Sequence, residues 1–197
     1  MIRTALSFSG GKDSTYALYK LKQLGCRVEC LVTTRWKGNR KTVAHGENEE
    51  RINSQAEQLG IPLVFIDTDF EDYTDDFKQK LLELKKKYKL DAIAFGDIYL
   101  EGHREWGEQL ANATELDALY PLWTKQEHAV KLLHEYVADR FKSKVIRVDE
   151  EKLPKEWIGR EVDESFIEDI LKYDVCPLGE NGEYHTYVYD GPIFEES

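Results

Sequence analysis

Eight residues near the start of the chain, Ser7 to Ser14 in the order SFSGGKDS, gather the groups that bind and polarise an anion. Gly10 and Gly11 let the backbone approach an oxyanion closely, Ser9 and Ser14 supply hydroxyl donors, and Lys12 adds a full positive charge. Asp13 is the odd member. A carboxylate in an anion site has a use as a magnesium ligand, direct or through water, because that ion bridges phosphates and keeps several of its waters. It also has an ordinary structural use as a helix N-cap. The string is not a Walker A loop, G-x-x-x-x-G-K-[ST]: Leu6 stands at the first glycine position and Asp13 follows the lysine. Ordinary ATPase or GTPase chemistry at a γ-phosphate loses support accordingly.

The elements around the loop decide whether it can act. Thr4 to Phe8 reads as a buried strand, and Ala17, Leu18, Leu21 and Leu24 at helical spacing predict a helix over 13–24 that Gly25 stops. A strand, a glycine turn and a helix N-terminus make an anion site, since free N–H groups and the helix dipole both favour negative charge there. Further strands are predicted at 28–34, 62–67 and 91–97, with helices at 47–59 and 73–88 between them. This alternation predicts an α/β fold with a mostly parallel sheet and helices on both faces. Ligands of such sheets bind beyond the carboxyl ends of the strands. Thr33, Gly96 and Asp97 fall near such ends and join the loop as nucleotide-facing candidates. An Asp that merely caps the next turn is an equal reading of Asp97 on sequence alone.

Beyond about residue 100 the pattern changes to a helix over 104–113, the strand-like ALYPLW, a helix over 126–138, the strand KVIRVD, a helix over 165–173 and a final block, GENGEYHTYVYDGPIF. We expect 1–100 to be an ATP-binding core and 101–197 a smaller α+β extension packed on it. The chain has 197 residues, 41% of them hydrophobic, enough for one well-packed core. With 27 Lys+Arg against 38 Asp+Glu the net charge is -11, which disfavours polyanionic partners, nucleic acid and anionic membrane among them. The basic stretch RWKGNRK, residues 35 to 41, is the counterargument: near an ATP site it could close over phosphates. No stretch approaches the roughly 18 to 20 apolar residues that span a bilayer, so a cytoplasmic location is expected. Cys26, Cys30 and Cys176 form no CxxC pair, so reduced thiols are the default and Cys30 reads as a core residue.

The string SGGKDS resembles the PP-loop of the ATP pyrophosphatase superfamily, whose members cleave ATP between the α and β phosphates and hold the departing pyrophosphate in this loop. That resemblance implies a Rossmann-like, HUP-type core, with ATP and Mg2+ as cofactors and Asp13 as the metal ligand. GDIYLEGHREWGEQL from Gly96, PLW at 121 to 123, WIGREVDESFI at 157 to 167 and GENGEYHTYVYDGPIF at 179 to 194 resemble the diphthine-ammonia ligase family over nearly the whole chain. Members of known role adenylate the carboxylate of diphthine, a modified histidine on elongation factor two, and let ammonia displace AMP. The final block looks closer to the bacterial-type branch, for which no acceptor is implied. Two departures stand out. Cys176-Pro177-Leu178-Gly179-Glu180 replaces a D-P-x-G-E turn, and Arg140-Phe141 stands where many relatives have a glycine.

The resemblance implies roles. Lys12 and Asp13 would act on the phosphates and metal, and Arg104 would neutralise the α-phosphate or bind a substrate carboxylate. A helix-surface salt bridge from Arg104 to Glu101 or Glu108 is the bland alternative. Glu180, Glu183 and His185 would form an acceptor pocket in which a carboxylate binds an ammonium and His185 moves a proton. Without the resemblance they read as a polar hairpin carrying Tyr184, Tyr187 and Tyr189. The expected partners are ATP, a carboxylate-bearing acceptor and ammonia, with a homodimer admitted. Two rival readings remain: an adenine-nucleotide binding module without turnover, and a PP-loop tRNA-modifying enzyme.

Overall fold

The computed structural model describes residues 1–194; residues 195–197 lie outside it. Five strands form one parallel sheet in the order β3-β2-β1-β4-β5. They are β1 (Arg3–Ser7), β2 (Arg27–Trp36), β3 (Leu63–Thr68), β4 (Ala92–Ala94) and β5 (Asp117–Leu119). Helices α1 (Lys12–Gln23), α2 (Glu49–Leu59), α3 (Tyr73–Tyr88) and α4 (Glu101–Ala113) make the crossovers. The chain is therefore the α/β protein that its alternating pattern predicts. It steps outward through β1, β2 and β3, then returns to the other side of β1, so the topology reverses between β1 and β4. A crevice opens at such a reversal, beyond the carboxyl ends of the two strands.

The helices cover both faces because the strands are apolar on both. On one face Ala17, Leu18 and Leu21 of α1 and Ile52 and Ala56 of α2 pack on Leu6 and Leu31. On the other, Phe77, Leu81 and Leu84 of α3 and Leu110 and Ala111 of α4 pack on Ala5, Cys30, Val32 and Ile93. The first of these cores runs on without a break into the rest of the chain: Leu133, Tyr136, Phe141, Phe166, Tyr184 and Val188 belong to it. Leu133 and Tyr136 belong to α5 (Ala129–Ala138), Phe166 to α6 (Glu164–Ile170), and Tyr184 and Val188 to β7 (Tyr184–Asp190), which pairs antiparallel with β6 (Lys142–Val148); Phe141 sits in the link from α5 to β6. Tyr16 of α1 is the hinge pin of that packing. Its ring meets Tyr136 and Phe141 edge-on at 5.5 Å, and its hydroxyl donates to Asp139 at 2.7 Å.

Three elements differ from the sequence expectation. The strand DAIAFGD pairs only over Ala92–Ala94, because Gly96 turns the chain against the first turn of α1; a Cβ there would sit 3.1 Å from the Ser14 nitrogen. ALYPLW pairs only over Asp117–Leu119, since Pro121 has no N–H to donate. β2 runs two residues further than expected, through Arg35 and Trp36, and takes the start of the basic stretch into the sheet.

Helix α5 ends on a residue that resists its own backbone. Arg140 follows the cap residue Asp139 and adopts φ 65, a left-handed conformation in which a Cβ costs about 1 kcal/mol and glycine costs nothing sterically. Its side chain is exposed and has no hydrogen bond among the described residues. Arg140→Gly should therefore raise the unfolding free energy by about 1 kcal/mol, seen as a melting temperature roughly 2–4 °C higher.

Candidate active site

The loop from Ser9 to Ser14 is folded by its own side chains. Ser14 Oγ accepts from the Ser9 N–H at 3.2 Å and lies 3.2 Å from Ser9 Oγ, which in turn accepts from the Gly11 N–H at 3.3 Å. Gly10 has φ +80, a conformation that favours glycine. Four contacts bind this loop to β7 and the turn before it. Val188 N donates to the Gly10 carbonyl at 3.2 Å, and Lys12 N donates to Thr186 Oγ1 at 2.9 Å. Lys12 Nζ donates to the Leu178 carbonyl at 2.5 Å, and the Gln55 amide bridges the Gly10 and Val188 carbonyls at 2.8 and 2.7 Å. So the first backbone N–H of α1 is already satisfied by a threonine from the far end of the chain.

In front of the loop, at the reversal between β1 and β4, lies a cleft of about 260 Å³. One side is apolar or neutral: Val32, Thr33, Thr34, Val43, Ala44 and Tyr73. The other brings together Ser9, Asp13, Ser14, Gly96, Asp97 and Glu180. Of the predicted nucleotide-facing residues, Ser9, Asp13, Ser14, Thr33, Gly96 and Asp97 line it; Thr33 is pinned by donating its hydroxyl to the Phe8 carbonyl. Three carboxylates from three segments share the cleft, and the energetics show it. Burial pushes the Asp13 carboxyl up, against the pull of Lys12, and Asp97 pushes it further. Burial and then the charge of Asp13 push Glu180 up to about 7. Asp97 pairs with His103 Nδ1 at 2.9 Å, which raises the histidine.

Lys12 is placed differently from the expectation. Only 3% exposed, its ammonium lies behind the cleft wall, between both Asp13 oxygens at 2.8 and 2.9 Å and the Leu178 carbonyl, over the Tyr184 ring. It reaches the cleft through Asp13, whose carboxylate keeps 32% exposure. Among the C-terminal candidates, Glu180 lines the cleft and Glu183 and His185 do not. Glu183, 3% exposed, accepts from the Cys176 N–H at 3.1 Å and the Asn181 N–H at 2.9 Å, so it shapes the turn that presents Glu180. His185 Nδ1 lies 2.9 Å from His45 Nδ1. Arg104 donates to Glu108 at 2.8 Å, the helix-surface pair that its spacing suggests, and stacks over Trp123 at 4.8 Å. Trp123 faces a second, open cavity of about 530 Å³ with Tyr99, Glu101, Lys125 and His128. Gly96 and Asp97 line the cleft, and Tyr99, two residues on, lines this cavity.

The basic stretch is not a free loop. Arg35 binds Asp67 with two nitrogens and Glu49 with a third, Arg40 also binds Glu49, and Lys37 sits among Asp69, Asp72 and Asp76. Sequence reasoning missed Gln55, Thr186 and His45. Gln55 sits on the core side of an amphipathic helix, where a polar residue three places from Ile52 was the one available signal.

A family model described as the diphthamide synthase N-terminal domain matches residues 2–118, and one described as its C-terminal domain matches residues 128–197. Proteins named diphthine–ammonia ligase from Mus musculus and Homo sapiens are each 27% identical over 99% of this chain and 81% of their own length. Among solved structures, one titled as a predicted subunit of a tRNA methyltransferase from Methanocaldococcus jannaschii covers 96% of this chain and 98% of its own. It does so with a TM-score of 0.53 at 20% identity, which shows a shared fold.

The imidazole pair carries a pH dependence. Burial, His185, Lys12 and Arg147 together lower His45 from 6.5 to about 3, so the folded protein keeps it neutral where the unfolded chain protonates it. Its contribution to stability is full above about pH 6.5 and is lost as pH falls toward about 3. Urea denaturation at about pH 7 and about pH 5 should show a smaller acid loss for His45→Asn than for the wild type.

Proposed function

Because the chain belongs to the diphthamide synthase family in both its N-terminal and C-terminal parts, we propose that it is an ATP-dependent amide ligase that forms AMP and pyrophosphate. The observation that carries this reading is the cleft at the β1/β4 reversal. There Ser9, Asp13 and Ser14, from the glycine loop and the first turn of α1, share one lining with Val32, Val43, Ala44 and Tyr73 and with the carboxylates of Asp97 and Glu180. The substrate carboxylate oxygen attacks the α-phosphorus, the bond to the bridging oxygen breaks, and pyrophosphate leaves with the electron pair. Ammonia nitrogen then attacks the acyl carbon, AMP departs, and a proton is lost from nitrogen.

Each part of the cleft supports one role. Ser9, Ser14 and the N–H groups of the loop would hold the leaving pyrophosphate, with the dipole of α1 stabilising the charge that develops on it. Mg2+ fits the site. Asp13 is a carboxylate that burial and Asp97 hold above its ordinary range, which a cation would relieve. Among the described residues no three side chains form a metal cage, as expected of an ion that takes one or two carboxylates and shares phosphates. Asp13 and Asp97 are the residues that would hold it, and bound there it would neutralise phosphate charge. Lys12 fixes Asp13 from behind.

Glu180 stands on the C-terminal side of the cleft, and a carboxyl raised to about 7 suits a group that binds ammonium and takes its proton at neutral pH. The acceptor would approach through the open cavity of Tyr99, Trp123 and Lys125, past Asp97, with Arg104 on Trp123 as the carboxylate partner. Diphthine, named in the relatives, is an acceptor of the right class. The tRNA-modifying alternative loses its main support, since Arg35, Lys37 and Arg40 are engaged by carboxylates.

With α-labelled ATP, Mg2+, ammonium and elongation factor two in its diphthine form or fractionated extract, AMP and pyrophosphate should appear together. ADP as the labelled product would overturn the reading. Asp97→Asn should lower AMP formation on the order of a hundredfold while the melting temperature holds. Lys12→Ala is a less telling variant, because it leaves Asp13 facing the cleft unpaired. It should cost about 2 kcal/mol of stability, less than for a wholly buried pair, as read by urea denaturation.

A further inference from the structure

Gln55 is the buried group whose chemistry the cleft has not yet absorbed. It lies on α2, outside the loop and outside the cleft lining, and is 1% exposed. Its amide nitrogen spends both protons on two carbonyls, Gly10 at 2.8 Å and Val188 at 2.7 Å. Its amide oxygen is sealed from solvent with no hydrogen-bond partner. Leaving such an oxygen unsatisfied costs free energy, so the residue is an expensive way to fill space and its donors must matter. The orientation is also forced: turning the amide over would set its oxygen against two carbonyl oxygens. The oxygen instead rests on the Gly10 backbone, where an added Cβ would lie 2.2 Å away.

A peptide plane has two ends. In a trans peptide the C=O of one residue and the N–H of the next point in opposite directions. Gln55 Nε2 and Val188 N both hold the Gly10 carbonyl back toward α2 and β7. The Gly11 N–H on the same peptide must then point forward, and it does: it donates, at a long 3.3 Å, to the hydroxyl of Ser9, which lines the cleft. Lys12 N is unavailable for this duty because Thr186 takes it. The glycines that let the loop approach an anion also leave this peptide free to turn over. Were it to turn, a carbonyl oxygen would face the incoming phosphates.

We propose that Gln55 is a positioning residue for the pyrophosphate end of the nucleotide, fixing the Gly10–Gly11 peptide so that the Gly11 N–H is aimed at a phosphate oxygen. The proposal rests on the ATP-cleaving reading of the site and adds the group that orients its donor. Gln55 touches no substrate atom, and its effect falls on the β and γ phosphates, not on the adenosine end of the nucleotide.

Calorimetry on the full chain with ATP, pyrophosphate and AMP, each with Mg2+, tests it. Gln55→Leu keeps volume and removes the donors; Gln55→Glu keeps shape and sets carboxylate oxygens against the two carbonyls. Both should bind pyrophosphate and ATP about ten- to a hundredfold more weakly, the worth of one hydrogen bond to a charged group, with AMP affinity unchanged. Gln55→Glu should regain pyrophosphate affinity, relative to wild type at the same pH, as falling pH lets the acid donate. Thermal melting shows which variants are folded; if Gln55→Leu does not fold, the pH series on Gln55→Glu decides. Pyrophosphate affinity unchanged in a folded variant, or all three ligands weakened in parallel as general loosening would do, overturns the proposal. A wild type that binds neither ATP nor pyrophosphate would instead sink the functional reading on which it rests.

Discussion

Everything in the site depends on how the Gly10 carbonyl is held. Two donors take it from behind, Val188 N on β7 and the Gln55 amide on α2, and a third bond ties Lys12 N to Thr186. A loop with two adjacent glycines has more backbone freedom than any other sequence, and without such restraint the entropy of that freedom would have to be lost on binding. Pre-formed donors are what make an anion site effective, because no reorganisation is needed as charge develops. The restraint comes from residues 45 and 174 positions away, Gln55 and Thr186, so it exists only when α2 and β7 are in place. The chain's two parts are consequently one machine: the C-terminal strand is the back wall of the N-terminal loop.

The charges follow the same logic. A carboxylate at an anion site is self-defeating unless a cation balances it, and Asp13 has two balances available. Behind it, Lys12 supplies a permanent one, itself stabilised by the Leu178 carbonyl and the face of Tyr184. In front, the cleft carries Asp97 and Glu180, whose charges raise Asp13 and are raised by it. An arrangement of this kind is poor at holding three negative groups by itself and good at receiving a divalent ion with its phosphates. Lys12 behind and Asp13 in front leave the carboxylate, not the ammonium, facing the cleft.

The fold was legible because it rests on local pattern. The strand before SFSGGKDS and the helix after it show their periods in Thr4–Phe8 and in Ala17, Leu18 and Leu21, and the loop itself is a contiguous string. Half of the cleft was legible for the same reason, since Gly96 and Asp97 end a strand and Ser9, Asp13 and Ser14 flank a glycine turn. What was not legible depends on long-range pairing. Glu183 and Glu180 look equivalent in sequence, yet one is consumed by the N–H groups of Cys176 and Asn181 and the other is presented to the cleft. RWKGNRK looks like a free basic loop until Asp67, Glu49 and Asp76 arrive from β3, α2 and α3. No periodicity records those partners. Gln55 was hidden because a single polar residue on a helix ordinarily reads as surface.

The division of the site also says where substrate choice resides. On the proposed reading the loop, the α1 dipole and the Gln55 clamp would act on phosphate, which is common to every reaction that releases pyrophosphate, so they would hold no information about the acceptor. That information must lie on surfaces the nucleotide leaves free. Two qualify: the turn from Cys176 to Glu183, which delivers Glu180 to the cleft, and the wall of Tyr99, Trp123 and Lys125. They are linked by Tyr99 OH donating to Cys176 Sγ at 2.7 Å and, beside it, by the Ile98 N–H donating to Glu180 at 3.3 Å, so a change in one shifts the other. Cys176, buried, accepts from Tyr99 at the joint between the two surfaces, so a substitution there would act on both at once.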